Sequence, residues 1–141
     1  MSTHSGRCLC GAITYTGRGE FIMQVCHCAS CRRWTGSPAM TLTFEDGIDI
    51  ETPANIRWHR SSGWAERGSC TTCGTTLFYR LVDGDYINVS AGSLDDQGAI
   101  KQIDEHVFID EKPAHYDFAG NAPRVTGAEV VARFQPPGEP S

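Results

Sequence analysis

The chain has 141 residues, with 12 Lys and Arg against 17 Asp and Glu, for a formal net charge of -5. That length suits one domain large enough to bury a core. The acidic balance, with no Lys/Arg cluster, lacks the footprint that holds phosphate backbones, so a nucleic-acid partner is not expected.

The scattered acidic residues read as solvated surface. Residues 1–7 carry no apolar stretch of the signal-peptide kind. No apolar run approaches the about 20 residues of a membrane-crossing helix, so no membrane partner is expected either. The expected compartment is the cytoplasm. A reducing compartment disfavours structural disulfides, and the seven cysteines are an odd number that would leave one thiol over.

Residues 1–5 are expected to be a flexible N-terminus. Short runs rich in β-branched and aromatic residues then predict strands over 12–16, 21–25, 39–44, 76–81, 85–91 and 106–109. Residues 40–44 (Met-Thr-Leu-Thr-Phe) alternate as a half-buried strand does. A helical turn is predicted at 32–34, before Gly36 and Pro38. Asp46-Gly47, Asp83-Gly84 and Gly98 are turn candidates. Residues 129–134 fit strand or helix, and 135–141, with Pro136, Pro137 and Pro140, are expected to be a flexible Pro-rich tail. No internal repeat is present. The expectation is a single mainly β domain over 6–134.

The cysteines fall into clusters. Cys8-Leu9-Cys10-Gly11 would aim two sulfurs to one side if extended, and Gly11 permits a turn at positive φ. Cys70-Thr71-Thr72-Cys73-Gly74 has the CxxC spacing of a zinc half-site. A thioredoxin-like redox pair competes, but that reading wants a helix after the motif, and Thr75 to Tyr79 reads as strand. Together Cys8, Cys10, Cys70 and Cys73 make a closed structural set of four thiolates. Cys26-His27-Cys28-Ala29-Ser30-Cys31 supplies three more. His27 would face away from its neighbours in an extended segment, so an exchangeable ligand is expected in the fourth position, the pattern of catalytic zinc. Two alternatives stay open. A distant histidine such as His106 would close a second structural site, or Cys26, Cys28, Cys31 and Cys70 would share one ion.

Several further motifs accompany these clusters. They are Gly6-Arg7-Cys8-Leu9-Cys10-Gly11, Cys26 to Cys31 with Arg32-Arg33, Cys70 to Thr75, Gly92-Ser93-Leu94-Asp95-Asp96, and Glu105-His106-Val107-Phe108 with Lys112-Pro113. As an ordered set they resemble the glutathione-dependent formaldehyde-activating (GFA) family, whose domain also occurs in centromere protein V. The resemblance implies a β-tent fold, with small sheets around a structural zinc on Cys8, Cys10, Cys70 and Cys73. It implies a catalytic zinc on Cys26, Cys28 and Cys31, hence two zinc ions per chain, the second site open to partial occupancy. The implied activity is that of a carbon-sulfur lyase that joins or cleaves a small thiol such as glutathione and an aldehyde such as formaldehyde. Ser69 and His115 depart from the family, which has an aromatic before the CxxC and a tryptophan after Lys-Pro-Ala.

Further candidates stand beside the cysteines. Arg32 would offset the charge of the cluster or bind a substrate carboxylate, or lie on the surface with Arg33. His27 would support the metal site from behind. Asp95 and Asp96 would be an acid/base pair or part of an Asx-type turn. His106 would shuttle protons or hold structure. Trp34, Trp58 and Trp64 read as core or pocket wall. Alternatives to the lyase are a non-catalytic zinc-binding module and a thiol redox sensor.

Overall fold

The computed structural model describes residues 2–134, so the expected tail at 135–141 lies outside the described residues. In chain order the elements are β1 (Thr3–Arg7), β2 (Thr14–Arg18), β3 (Phe21–Cys26), α1 (Ala29–Thr35), β4 (Ala39–Phe44), β5 (Ile48–Ile50), β6 (Ile56–Arg60), β7 (Ala65–Cys70), β8 (Thr76–Leu81), β9 (Ile87–Ser90), β10 (Glu105–Val107), β11 (Arg124–Val125) and α2 (Gly127–Arg133). The fold is mainly β, as expected. Among the described residues no helix is long and apolar enough to cross a membrane.

The strands expected at 39–44 and 76–81 occupy those residues as β4 and β8. The one expected at 12–16 starts later, at Thr14, because the backbone is still leaving the turn that carries Cys8 and Cys10. The one expected at 106–109 stops at Val107, because Phe108 takes the left-handed conformation with φ 55°. The helical turn expected at 32–34 is part of a longer helix, α1. The ambiguous 129–134 segment is helical through Arg133. Residues 3–5, expected to be flexible, are paired in β1.

The chain divides into two compact units, residues 2–23 with 41–102 and residues 24–40 with 103–134. In the first unit, β1, β2 and β5 form a small antiparallel sheet. A second antiparallel run has the order β4-β9-β8-β7-β6. Its register shifts between Gly68 and Ser69, just where β7 approaches Cys70. Ile13, Tyr15, Leu42, Leu77, Phe78 and Val89 are buried and form the heart of this unit. Tyr15 meets Phe78 edge to face at 5.8 Å. Its phenol reaches Ser93 Oγ at 2.8 Å, so the polar tip is satisfied inside the core. Burial, set against that hydrogen bond, pushes the Tyr15 phenol up to about 12.

In the second unit, β3, β10 and β11 pair in parallel, with Val25 opposite His106 and Cys26 opposite Val107. Val25 and Val107 are buried on this ladder. The capping box of Thr126 and Glu129 starts α2, and Asp110 accepts the Gly127 N–H at 2.8 Å. The helix is tied back by Arg133, whose two Nη atoms donate to the Glu105 carboxylate at 2.8 and 2.7 Å. That guanidinium holds the Glu105 carboxyl below its usual range.

Gly6 is required by packing. A Cβ there would run into the ring of buried Tyr15 across the β1–β2 pair. Gly6→Ala is expected to cost about 1–3 kcal/mol, the usual price of overpacking. Urea unfolding measures it, and a cost of less than about 0.5 kcal/mol would show that this close approach does not matter.

Candidate metal centres and adjoining cavity

Each unit carries one cluster of sulfurs. In the first unit Cys8 and Cys10 lie in the turn after β1, not in a strand. The turn is closed by Cys8 N–H to Ile13 O at 3.1 Å and Gly11 N–H to Cys8 O at 3.2 Å, with Gly11 at φ 82°. The two sulfurs thus converge by a tight turn and not by strand alternation. Cys70 ends β7, and the Gly74 N–H closes the second turn onto Cys70 O at 2.9 Å. β8 follows, so the CxxC lacks the helix of a thioredoxin-like motif.

The sulfurs of Cys8, Cys10, Cys70 and Cys73 all lie within 4.8 Å of one another. Cys8 and Cys10 are 3.6 Å apart, and Cys10 and Cys70 are 3.7 Å apart. A tetrahedral ion with bonds of about 2.3 Å to sulfur places its ligands about 3.8 Å from each other. The donor set therefore fits such an ion in kind and in spacing. Backbone N–H groups aim at three of the sulfurs, from Ile13 to Cys8, from Ala12 to Cys10, and from Thr72 and Cys73 to Cys70, at 3.3–3.5 Å. Thr75 serves both turns. Its hydroxyl accepts the Leu9 N–H at 3.1 Å and lies 3.0 Å from Cys73 Sγ.

The hydroxyl of Thr75, with its backbone and that of Cys10, brings the Cys73 thiol down to about 5. At Cys10 the Ala12 N–H favours the thiolate, but desolvation and the sulfurs of Cys73, Cys8 and Cys70 outweigh it and push the thiol up to about 11. Four thiolates this close resist simultaneous ionisation unless a cation joins them.

In the second unit the remaining sulfurs come from three adjoining backbone settings. Cys26 ends β3, Cys28 is the N-cap of α1, and Cys31 stands in its first turn. Cys28 Sγ accepts the Cys31 N–H at 3.3 Å, so one sulfur of the group doubles as the helix cap.

 The three sulfurs lie within 4.8 Å of one another, and among the described residues no fourth cysteine, histidine or carboxylate joins the group. Cys26 is pushed strongly upward by its hydrogen bonds to Cys28 and Cys31, so this cluster too resists full ionisation without a cation.

His27 turns away from the sulfurs that flank it. It is buried, with Nδ1 2.8 Å from Tyr116 Oη and Nε2 2.9 Å from His106 Nδ1. Burial, then the charges of His106, Lys112 and Arg124, bring the His27 ring down to about 4, so it is neutral at pH 7. His106 is occupied by this bond and stands outside the three-sulfur group, as does Cys70, which belongs to the other cluster.

A cavity of about 560 Å³ opens beside α1, lined by Arg32, His115, Tyr116, Asp117 and Phe118 among others. Arg32 follows Cys31 directly. Its guanidinium is fixed from behind by Nε to His27 O at 3.0 Å and Nη2 to Glu111 O at 3.4 Å. The Glu111 carboxylate also accepts the Ala29 N–H at 3.1 Å, anchoring the start of α1. Arg33 is exposed. Asp117 is held by Arg124 at 2.7 Å.

Asp95 and Asp96 belong to the first unit and are exposed. Asp95 accepts from Ser5 Oγ at 2.9 Å, and Asp96 accepts from the Gly98 N–H at 3.0 Å, an Asx-type turn. Trp58 packs near Phe78 under the Arg80 guanidinium, and Trp64 is exposed. Sequence reasoning did not single out Tyr116 or Glu111. The nearest signal was Lys112-Pro113, which marks a turn but says nothing of what the turn presents.

Comparison with known proteins agrees with the motif set. Residues 3–111 match the family described as glutathione-dependent formaldehyde-activating enzyme. An uncharacterized lyase of Schizosaccharomyces pombe is 34% identical over 137 residues, covering 93% of this chain and 96% of that protein. A crystal structure of a Rhodobacter sphaeroides protein is similar in fold, with a TM-score of 0.51 at 23% identity, over 65% of this chain and 88% of that one. The chain belongs to the glutathione-dependent formaldehyde-activating enzyme family.

Proposed function

We propose that this protein is a zinc-dependent carbon-sulfur lyase that joins and cleaves a small thiol, such as glutathione, and an aldehyde, such as formaldehyde. The observation that carries the reading is the group formed by Cys26, Cys28 and Cys31, three convergent sulfurs without a fourth protein ligand among the described residues. Membership in the family and a relative named as a lyase support it. So does the cavity that begins at Arg32, the residue after Cys31. The reading includes a β-tent type of fold, a single zinc-binding domain over 6–134 and a cytoplasmic setting in which all seven cysteines stay reduced.

Cys8, Cys10, Cys70 and Cys73 would hold a structural zinc, and its binding would contribute folding free energy to the first unit. Cys26, Cys28 and Cys31 would hold the second zinc, which when bound offers a free ligand position and lowers the pKa of a thiol there. Arg32, which follows Cys31 and is held by His27 O and Glu111 O, lines the cavity and would suit a substrate carboxylate there. In the forward direction the thiol sulfur attacks the carbonyl carbon, a carbon-sulfur bond forms, and the carbonyl oxygen ends as a hydroxyl.

Metal analysis separates the two roles. Wild type is expected to carry two zinc ions, and Cys28→Ser one, with its unfolding midpoint close to wild type. Cys73→Ser is expected to lose the fold of the first unit along with its metal. If Cys28→Ser unfolds as badly as Cys73→Ser, the division into structural and open sites is wrong.

A kinetic assay addresses the reaction. Adduct formation from formaldehyde with each of several small thiols is expected to exceed the spontaneous rate for at least one of them, and to fall to the spontaneous rate in Cys28→Ser. Wild-type rates equal to the spontaneous ones for every thiol tested would refute the lyase reading.

A further inference from the structure

His27 and Tyr116 form an arrangement that holding a metal does not require. The sulfurs of Cys26, Cys28 and Cys31 converge without help from the intervening ring. Yet that ring is fully buried and bonded at both nitrogens, to His106 on one side and Tyr116 on the other. A hydrogen bond between two imidazole nitrogens needs one N–H and one lone pair. In the arrangement where His106 Nδ1–H donates to His27 Nε2, the His27 ring carries its proton on Nδ1 and donates it to Tyr116 Oη. The Tyr116 hydroxyl then keeps its own proton to offer elsewhere.

The place where it can be offered is the cavity, which Tyr116 lines together with Arg32. The phenol is held there on several sides. Its ring stacks on His27 with centroids 5.6 Å apart and planes at 17°, and Phe118 meets both His27 and Tyr116 edge-on. Lys112 Nζ lies 5.1 Å from the ring centre. The phenol is bonded to His27, the residue between Cys26 and Cys28, and shares the cavity wall with Arg32. Burial is the main cause that keeps its pKa above the ordinary value, so the hydroxyl is protonated at neutral pH.

We propose that Tyr116 is a catalytic residue that donates its hydroxyl proton to the aldehyde oxygen as the carbon-sulfur bond forms, with His27 as the positioning residue that aims the hydroxyl. This rests on the lyase reading above. The step balances as follows. The thiol releases its S–H proton to solvent, and a sulfur lone pair forms the bond to the carbonyl carbon. The π pair of the C=O bond moves to oxygen, which takes the proton from Tyr116, and solvent returns one proton to the phenol. Cleavage of the adduct runs the same transfers backwards.

Tyr116→Phe tests this, because it removes the hydroxyl and keeps the ring that stacks on His27. Using whichever thiol wild type turns over with formaldehyde, kcat is expected to fall about 100-fold, the usual scale of a lost proton donor. KM for the thiol is expected to stay within about threefold. Zinc content should match wild type, and the His27 Nδ1 signal in nitrogen NMR should shift as its partner is lost. A kcat within about threefold of wild type would overturn the proposal while leaving the lyase reading intact. Loss of zinc from Tyr116→Phe would also overturn it, since the tyrosine would then serve to hold the site together. An unshifted His27 signal would remove His27 from its positioning role. A wild-type protein that turns over no thiol would bring down the lyase reading and this proposal together.

Discussion

Sulfurs gathered at bonding distance from a common centre repel one another once ionised, and that repulsion is the constraint on which the rest of the molecule depends. Four of them sit within 4.8 Å in one unit and three in the other. The opposed shifts of Cys10, upward, and Cys73, downward, show how unevenly negative charge spreads over the first group when only protein atoms share it. A divalent cation removes the conflict, because it turns mutual repulsion into shared attraction and makes deprotonated sulfur the favoured state. Disulfides are the other outlet for crowded thiols, but none joins any of the seven cysteines, all of which lie among the described residues.

The two clusters are built differently, and the difference matches the jobs proposed for them. The first joins two turns far apart in sequence, locked by Gly11, Gly74 and the shared Thr75 hydroxyl. Its four sulfurs close around a common centre. The second comes from one short segment in which a strand end, a helix cap and a first helical turn follow in succession. A helix this short has little stability of its own. It is held from outside by the Glu111 carboxylate at Ala29, and Arg32 reaches back to His27 and Glu111. The αL residue Phe108 turns the chain so that the 109–111 segment can do this, while Asp110 caps α2. Chain that would otherwise be a simple connection thus positions the site.

Much of this was legible in the sequence, for reasons of spacing. CxxC and the close cysteine pairs are local, so their geometry is largely set by a few backbone angles. The orientation of His27 away from the sulfurs followed from its place between two of them. Strand β4 was legible from its alternation over 40–44, and β8 from the run of Thr76, Leu77, Phe78 and Tyr79. β7 was not, since Ala-Glu-Arg-Gly-Ser-Cys has no such run and becomes a strand through pairing on both sides with β6 and β8. β1, whose fourth residue is Gly6, is likewise a strand through pairing with β2, where the Tyr15 ring leaves no room for a Cβ at Gly6. The cavity was not legible either. Tyr116 and Glu111 meet His27 and Ala29 across more than eighty residues of sequence, and no local pattern announces a contact of that range.

The division of seven sulfurs into a closed set and an open one is tested most directly by zinc-edge X-ray absorption on protein purified without added thiol. The expected first shell is about 3.5 sulfurs per zinc at about 2.3 Å, completed by a light nitrogen or oxygen atom that belongs to the open site. A first shell of sulfur alone, or one dominated by light atoms, would contradict it.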